Sequence, residues 1–547
     1  MQRFNLAKHA WLLLTLAVVF VYFYGLGRMP FVGPDEPRYA QVAREMFERG
    51  DYVTPTLGGY TWFEKPLLLY WLIIAGYKLF GVSEFAARVG AACAGLITIL
   101  IVGCLARRVE RESAGELRGF GLASAGVSAS SLGLLVFSRG VSFDVLLTMT
   151  ITMSLASFFL ADLEADERRK NILLAFFYAG IGLSLLAKGL VGVVIPCGVI
   201  GLYYVLRREW PRARGLGIPW GLPLSLAVAA VWYLPVTLRH GWLFVDEFFV
   251  QHHFARYVSN KYLHPQPFYF YVPIVLALAL PWSVFLVEAL IRAKDWGWRR
   301  TQSLDAKSNL RLFALAWLAL PVFFFSLSGS KLPGYILPAL PGAWLLVGER
   351  VAKFARGEGG MWSARITGAL FVLAAVGIIV YAVRTNEVQI ACALIITLPI
   401  VVAGAINVLL TRFRRLCFAS IVVAVLAAIA FIVSCAAEGI ARKHSVRELL
   451  RAADARGYAS TPVLHLHLVE RTAEFYAAGR LIYRAGGGVE KLEGAQEVAN
   501  ALRKSGANAA LVIVPVEYAY QLTDYASLEA EVVGDNGEVA LVAVQAR

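Results

Sequence analysis

The chain has 547 residues, of which 58% are hydrophobic and only 16% charged, and its mean hydropathy is +0.62. Soluble domains carry roughly 25% charge, so these proportions exclude a water-soluble globular protein and point to lipid as the main solvent. The net charge of +14 sits in short clusters just beyond the apolar runs, a positive-inside pattern that speaks against a nucleic-acid partner.

Runs of roughly 20 apolar residues bounded by charge predict a polytopic α-helical membrane protein of about thirteen transmembrane helices. The first, 10–27, has no small-residue cleavage site behind it and reads as a retained helix rather than a signal peptide. A polar segment, 28–65, follows. The next apolar run, 66–80, is short for a hydrocarbon core of roughly 30 Å. Crossing there would also put the basic cluster 107–111 on the side opposite the basic amino terminus, so 66–80 is predicted to be interfacial. Further spans are expected at 84–106, 119–137, 145–163, 172–187, 190–206, 219–238, 269–290, 312–328, 335–348, 365–382, 388–410 and 417–437. This arrangement puts Arg107-Arg108, Arg168-Arg169-Lys170, Arg207-Arg208, Arg299-Arg300 and Arg412 to Arg415 in the cytoplasm. A first external loop is then expected at 28–83, with others at 138–144, 188–189, 239–268 and 329–334.

All six cysteines lie in or beside apolar runs and none forms a Cys-x-x-Cys, so they read as small hydrophobes rather than disulfides or a zinc site. From Glu438 the composition turns mixed. Helical patterns at 445–456 and 495–505 alternate with strand-like runs at 462–468, 509–516 and 539–544, predicting a small external α/β domain at 438–547 after a transmembrane domain at 1–437. It contains no Gly-rich phosphate loop, and the glycines at 486–488 read as a turn.

The external loops hold the chemistry. Asp35-Glu36-Pro37-Arg38-Tyr39 precedes Arg44, and acids before a proline suit a helix amino terminus, either as a plain cap or as a site. The same loop ends on Trp62-Phe63-Glu64-Lys65-Pro66, so two acid clusters and a lysine meet at the membrane surface. Arg139 and Asp144 flank another external joint, and an acid directly before a span is either functional or an N-cap. The 239–268 loop brings His252, His253, Arg256 and Tyr257, and a divalent metal on Glu64 with one of the two adjacent histidines is an open expectation. Lys331 and Tyr335 stand at a tight turn, where a lysine either snorkels or contacts phosphate.

Asp35 to Ala40, Gly50-Asp51-Tyr52-Val53-Thr54-Pro55 and Phe63-Glu64-Lys65-Pro66-Leu67 resemble, in order and spacing, the first external loop of the bacterial lipid A 4-amino-4-deoxy-L-arabinose transferases. The 331–338 block resembles a later motif of the same family, whose wider group includes the protein O-mannosyltransferases. Two departures are Pro66, where relatives often have two prolines, and Gly334, where a threonine is common. The resemblance implies a C-type glycosyltransferase fold in the bacterial inner membrane, with interfacial helices in the first loop and both the active site and the C-terminal domain in the periplasm. It implies transfer of aminoarabinose from undecaprenyl phosphate to lipid A phosphates, giving polymyxin resistance, by a monomer among membrane lipids with no organic cofactor.

On this reading Asp35 is the principal catalytic carboxylate, with Asp144 or Glu64 behind it, and Lys65 is the leading phosphate ligand. Glu36, Arg38, Tyr39, Arg44, Arg139, Arg256, Tyr257, Lys331 and Tyr335 are the expected substrate contacts. Another polyprenyl-phosphate sugar transferase, such as a protein O-mannosyltransferase, is the neighbouring alternative. A transporter would instead place ionisable groups at mid-span, and Lys188 is the one basic residue found between apolar runs without a real loop around it.

Overall fold

The structure is a computed structural model that describes the chain except residues 1–5, 114, 210–212, 256–265, 297–304, 485 and 547, and except the side chains of 6–11, 13, 213–214, 252–255 and 295. Helices in chain order are α1 (Leu6–Phe23), α2 (Asp35–Arg49), α3 (Leu68–Phe80), α4 (Glu84–Glu112), α5 (Phe120–Ala129), α6 (Leu132–Ser138), α7 (Phe143–Leu163), α8 (Glu167–Lys188), α9 (Val191–Arg207) and α10 (Ile218–His240). Helices Ala306–Ser326, Leu340–Ala355, Trp362–Thr385, Ile390–Leu409 and Arg414–Phe431 follow.

Among the described residues eight helices are long and apolar enough to cross a membrane, or ten if each of two bent pairs is one span. The protein is therefore a multi-pass membrane protein, and length and composition among the described residues support eight to ten spans rather than the exact count of thirteen. The run expected at 119–137 bends by 55° between α5 and α6, and the run expected at 269–290 bends by 118° between Phe268–Leu278 and Ser283–Lys294. Hydropathy reads composition along a window and is blind to such breaks. The stretch 335–348 likewise opens as a 3₁₀ turn, Pro333–Ala339, before its helix begins at Leu340. Helices α1, α3 and α9 are apolar but shorter.

The chain divides into two compact units. The first comprises Met1–Tyr24, Phe63–Leu69 and Arg88–Ile432, and the second Gly25–Trp62, Tyr70–Ala87 and Val433–Arg547. The second unit thus takes in most of the first loop as well as the tail that composition marked off at 438.

In the first unit, apolar helices gain nothing from mutual burial in lipid and associate through close approach and interhelical hydrogen bonds. Trp362–Thr385 and Ile390–Leu409 show this: a Cβ on Gly368 would lie 2.7 Å from the Gly404 carbonyl oxygen. Asn407 donates from the same contact region to Ser420 Oγ (3.0 Å) on the next helix. Charge inside the unit is paired, with buried Glu349 accepting from Arg311 Nε (2.8 Å) and meeting Lys353 Nζ at 2.8 Å.

The second unit holds α2 and the tail. Tyr39, Val42, Ala43 and Met46 recur at helical spacing and are buried, and α2 ends on Gly50 at φ +66. A two-residue hairpin, β1 (Thr56–Leu57) and β2 (Tyr60–Thr61), follows. The tail folds as a five-stranded sheet of β3 (Val463–Leu466), β4 (Lys491–Leu492), β5 (Ala509–Pro515), β6 (Leu528–Asp535) and β7 (Val539–Ala546), in the order β4-β3-β5-β7-β6. Strand β3 runs parallel to β4 and β5, while β7 pairs antiparallel with β5 and β6. Alternation along the apolar run of β5 serves both faces. Val512 and Val514 pack with Val498 and Leu502 of the helix Ala495–Ser505. Leu511 and Ile513 pack with Leu449, Leu450 and Ala473 on the other side.

Four cysteines (Cys93, Cys104, Cys197 and Cys417) are free thiols, but Cys392 and Cys435 are disulfide-bonded. This corrects the reading of all six as reduced hydrophobes. Oxidation depends on neighbours in three dimensions, which sequence spacing does not report.

Candidate active site

In the first unit one ion pair stands at the amino end of α7, on Asp144. Ser142 caps α7, its hydroxyl accepting from the Asp144 backbone N–H at 3.2 Å, so the Asp144 carboxylate is left to other work. It pairs with the Lys188 ammonium, which comes from the last residue of α8 before the turn at Gly189. The same ammonium stands 4.3 Å from the ring centroid of Tyr335, a cation–π distance. A methyl group added to Gly334 would overlap Asp144 Oδ2, so the departure from threonine at this position leaves the room that the carboxylate fills. The Tyr271 phenol donates to the Leu332 carbonyl at 3.2 Å and fixes the approach to this 3₁₀ turn.

The other expected residues of this unit are held differently. Lys65 Nζ lies 3.1 Å from Glu64 Oε1, both side chains largely buried, and neighbouring Phe63 packs on His240 and Phe244 at 5.0 and 5.3 Å between ring centroids. Lys331 is buried and donates to the carbonyls of Ser328 (2.7 Å) and Gln266 (3.1 Å). Arg139 donates to the carbonyls of Val21 and, at 2.7 Å, Tyr24, closing the carboxyl end of α1.

In the second unit Asp35 and Glu36 form the first turn of α2. Asp35 Oδ1 accepts from the Tyr39 hydroxyl at 3.3 Å, and Glu36 Oε2 accepts from the Val32 N–H at 3.5 Å. Arg38 pairs with fully buried Glu474 at 3.4 Å and lies 5.2 Å from the Trp62 ring. Arg44 pairs with Glu48 at 2.7 Å and lies 5.8 Å from the Phe475 ring. Arg38 and Arg44 thus tie α2 to the segment Ala473–Tyr476, a partner almost 440 residues away in sequence. Arg256 and Tyr257 lie outside the described residues. The backbone of His252 and His253 falls in the π-helical stretch Asp246–Ala255, with their side chains outside the described set.

Among the described residues no three His, Cys, Asp or Glu side chains converge to hold a metal ion, and Glu64 faces an ammonium. The expected metal on Glu64 with His252 or His253 involves side chains outside the described residues, and no step below is routed through a metal. The residue that sequence reasoning missed is Lys188. Its signal was there, since a lone lysine in a tight joint between apolar runs is costly unless a partner waits for it.

Helices α8, α9 and α10 enclose a cavity of about 1070 Å³. Its wall is apolar, with Phe177, Ile181, Val193, Leu226, Tyr233 and Phe249 among the lining residues.

The sequence model of the dolichyl-phosphate-mannose-protein mannosyltransferases matches residues 10–289. An undecaprenyl phosphate-alpha-4-amino-4-deoxy-L-arabinose arabinosyl transferase of Pseudomonas aeruginosa is 32% identical over 63% of this chain and 60% of its own length. The chain thus spans about 60% of the first curated relatives it matches. A relative with the same activity name in Pseudomonas fluorescens is 30% identical over 74% of this chain and 70% of its own. The crystal structure of ArnT from Cupriavidus metallidurans bound to undecaprenyl phosphate covers 98% of both chains at 24% identity, with a TM-score of 0.77. That likeness carries the fold over nearly the whole chain. The chain belongs to the family that the mannosyltransferase model describes and, within it, to the ArnT group of polyprenyl-phosphate glycosyltransferases.

Proposed function

We propose that this protein is a glycosyltransferase of the bacterial inner membrane that moves 4-amino-4-deoxy-L-arabinose from undecaprenyl phosphate to lipid A phosphates on the periplasmic face. The observation that carries the reading is the Asp144–Lys188 pair beside Tyr335, in a chain whose named relatives use that donor. The apolar cavity between α8, α9 and α10 supports it too, because an isoprenoid chain needs a dry channel at membrane depth.

In the reaction an oxygen of the acceptor phosphate bonds to the anomeric carbon of the sugar. The bond from that carbon to the donor phosphate breaks, and undecaprenyl phosphate leaves with the electron pair. The acceptor is already ionised, so the protein's task is to place charge rather than remove a proton. An ammonium held over an aromatic ring by one carboxylate is ready for a phosphate. The incoming dianion competes with Asp144 for Lys188, and the released carboxylate takes the sugar's ammonium or orients the acceptor. Asp35 serves as a second carboxylate and Lys65 as a second phosphate ligand in this proposal, with Arg256 and Tyr257 as further donor contacts.

Purified protein, the aminoarabinose-carrying undecaprenyl phosphate and lipid A test the reading together. The expected product is lipid A heavier by an aminopentose on mass spectrometry, lost with Asp35→Asn or Lys65→Ala in folded protein. Unmodified lipid A with the wild-type protein would sink it. Glycosylated protein acceptors in its place would favour the mannosyltransferase alternative, which the family match over 10–289 supports.

A further inference from the structure

The C-terminal sheet has a binding geometry of its own. Because β4, β3 and β5 are parallel, their carboxyl ends lie at one edge. The spatial order β4-β3-β5 puts the first of the three strands in the middle, so the connections diverge between β3 and β5. Open α/β sheets hold ligands in the crevice outside the carboxyl ends at such a switch point.

The residues that leave these ends carry a consistent chemistry. His467 follows β3 directly, Glu493 follows β4, and Val516–Tyr518 forms the 3₁₀ turn after β5, with Gln521 just beyond. His467 Nε2 and Gln521 Oε1 are 2.8 Å apart, across the divide between β3 and β5. His467 Nδ1 lies 3.5 Å from Glu493 Oε2, and Lys491 Nζ lies 2.5 Å from Glu493 Oε1. The Tyr518 ring centroid is 4.8 Å from that of His467, and Tyr518 and Tyr520 are 36% and 57% exposed. His467 holds a left-handed φ of +62, strain that a side-chain-bearing residue keeps only where its surroundings enforce it.

An anion is poorly served here. The segment 467–472 has no glycine to bring backbone N–H groups together, and the helix after it, Ala473–Tyr476, has four residues. Lys491, the ammonium at this edge, is already on Glu493. What remains is an amide, a carboxylate and an imidazole beside exposed phenol rings. That set matches paired hydroxyl groups on one side and a C–H face on the other.

We propose that this crevice binds a saccharide, free or as the headgroup of a glycolipid, through His467, Glu493, Tyr518 and Gln521. None of these residues belongs to the Asp144–Lys188 site. The test uses the full chain in nanodiscs, so that no detergent sugar competes. Saturation-transfer NMR is run with methyl glycosides of glucose, galactose, N-acetylglucosamine and arabinose, and phosphorus NMR with inorganic phosphate.

At least one glycoside is expected to receive saturation, with binding about tenfold weaker in Gln521→Ala and in Tyr518→Ala. His467→Gly relieves the strained φ, so loss of binding there is not explained by unfolding. Asp144→Asn is expected to leave the signal intact. Displacement of the glycoside by nanodiscs carrying glucosyl diacylglycerol would identify the glycolipid source, and no displacement the free sugar; both support the site. No saturation of any glycoside, signal unchanged in the crevice variants, signal lost with Asp144→Asn, or binding of phosphate alone would each overturn it.

Discussion

Two tight joints of the first unit each carry a lysine, and the fold treats them in opposite ways. Lys331 sits in the turn before Pro333 with its ammonium against two backbone carbonyls, those of Ser328 and Gln266. Lys188 ends α8 with its ammonium against one carboxylate and the face of one ring, Asp144 and Tyr335. Carbonyls in a turn cannot move aside without breaking the turn, so Lys331 acts as a fastening. A carboxylate side chain can rotate away, so Lys188 can exchange Asp144 for a phosphate. The second unit supplies the extreme case. His465 is buried on β3, and neither ring nitrogen has a hydrogen-bond partner among the described residues.

The displaceable pair carries the largest expected effect. Asp144→Asn and Lys188→Ala are each expected to lower the transfer rate about 10²–10³-fold, the usual size of a lost charge-stabilising contact, with helix content and membrane insertion unchanged. Full activity in either variant would mean that the pair is only structural.

His465 predicts a pH effect of comparable size. Burial holds its pKa down at about 4, below the ordinary imidazole value of 6.5. The folded domain therefore binds fewer protons than the unfolded one between these values. Stability is full above pH 6.5 and falls by about 3 kcal/mol as pH drops towards 4. Hydrogen exchange of β3 at pH 7 and pH 4.5 measures this, and His465→Leu should flatten the slope.

Gly334→Ala acts on the same pair through sterics, with no change of charge. The added methyl would overlap both Asp144 Oδ2 and the Phe137 ring, and a displacement of Asp144 by about 1 Å is expected to cost up to about 10²-fold in rate, beside a smaller loss of melting temperature. Lys331→Met should do the reverse. Leaving the buried Ser328 carbonyl unmet costs about 1–3 kcal/mol, read as a lower melting temperature, while the rate per folded molecule stays near wild type.

The smallest effect is expected from EDTA. The Glu64–Lys65 pair predicts undiminished activity after chelation. A loss restored by one divalent ion would instead assign that ion to Glu64 with His252 or His253.

Asp144 was legible in the sequence because it is an anomaly of polarity. It stands out against apolar flanks, as Asp35, Glu64, Lys65 and Lys331 do, where an ionisable group needs a reason to be present. Their pairing was not legible. Arg38 and Arg139 read as substrate contacts beside the leading ligand Lys65, whereas folding commits Arg38 to Glu474 and Arg139 to the end of α1. Lys188 was visible only as an oddity, because its partner Asp144 lies 44 residues earlier in the chain.

Membrane residence and the α/β character of the tail follow from composition and periodicity, because lipid and a sheet buried on both faces each select residues one position at a time. The path of the backbone does not. Breaks of 55° and 118° inside apolar runs, a tail domain that takes in α2 of the first loop, and a strand order with β3 between β4 and β5 rest on contacts between distant segments. Such contacts are selected by shape and charge jointly, so tertiary structure alone decides which lysine is a fastening and which one can be displaced.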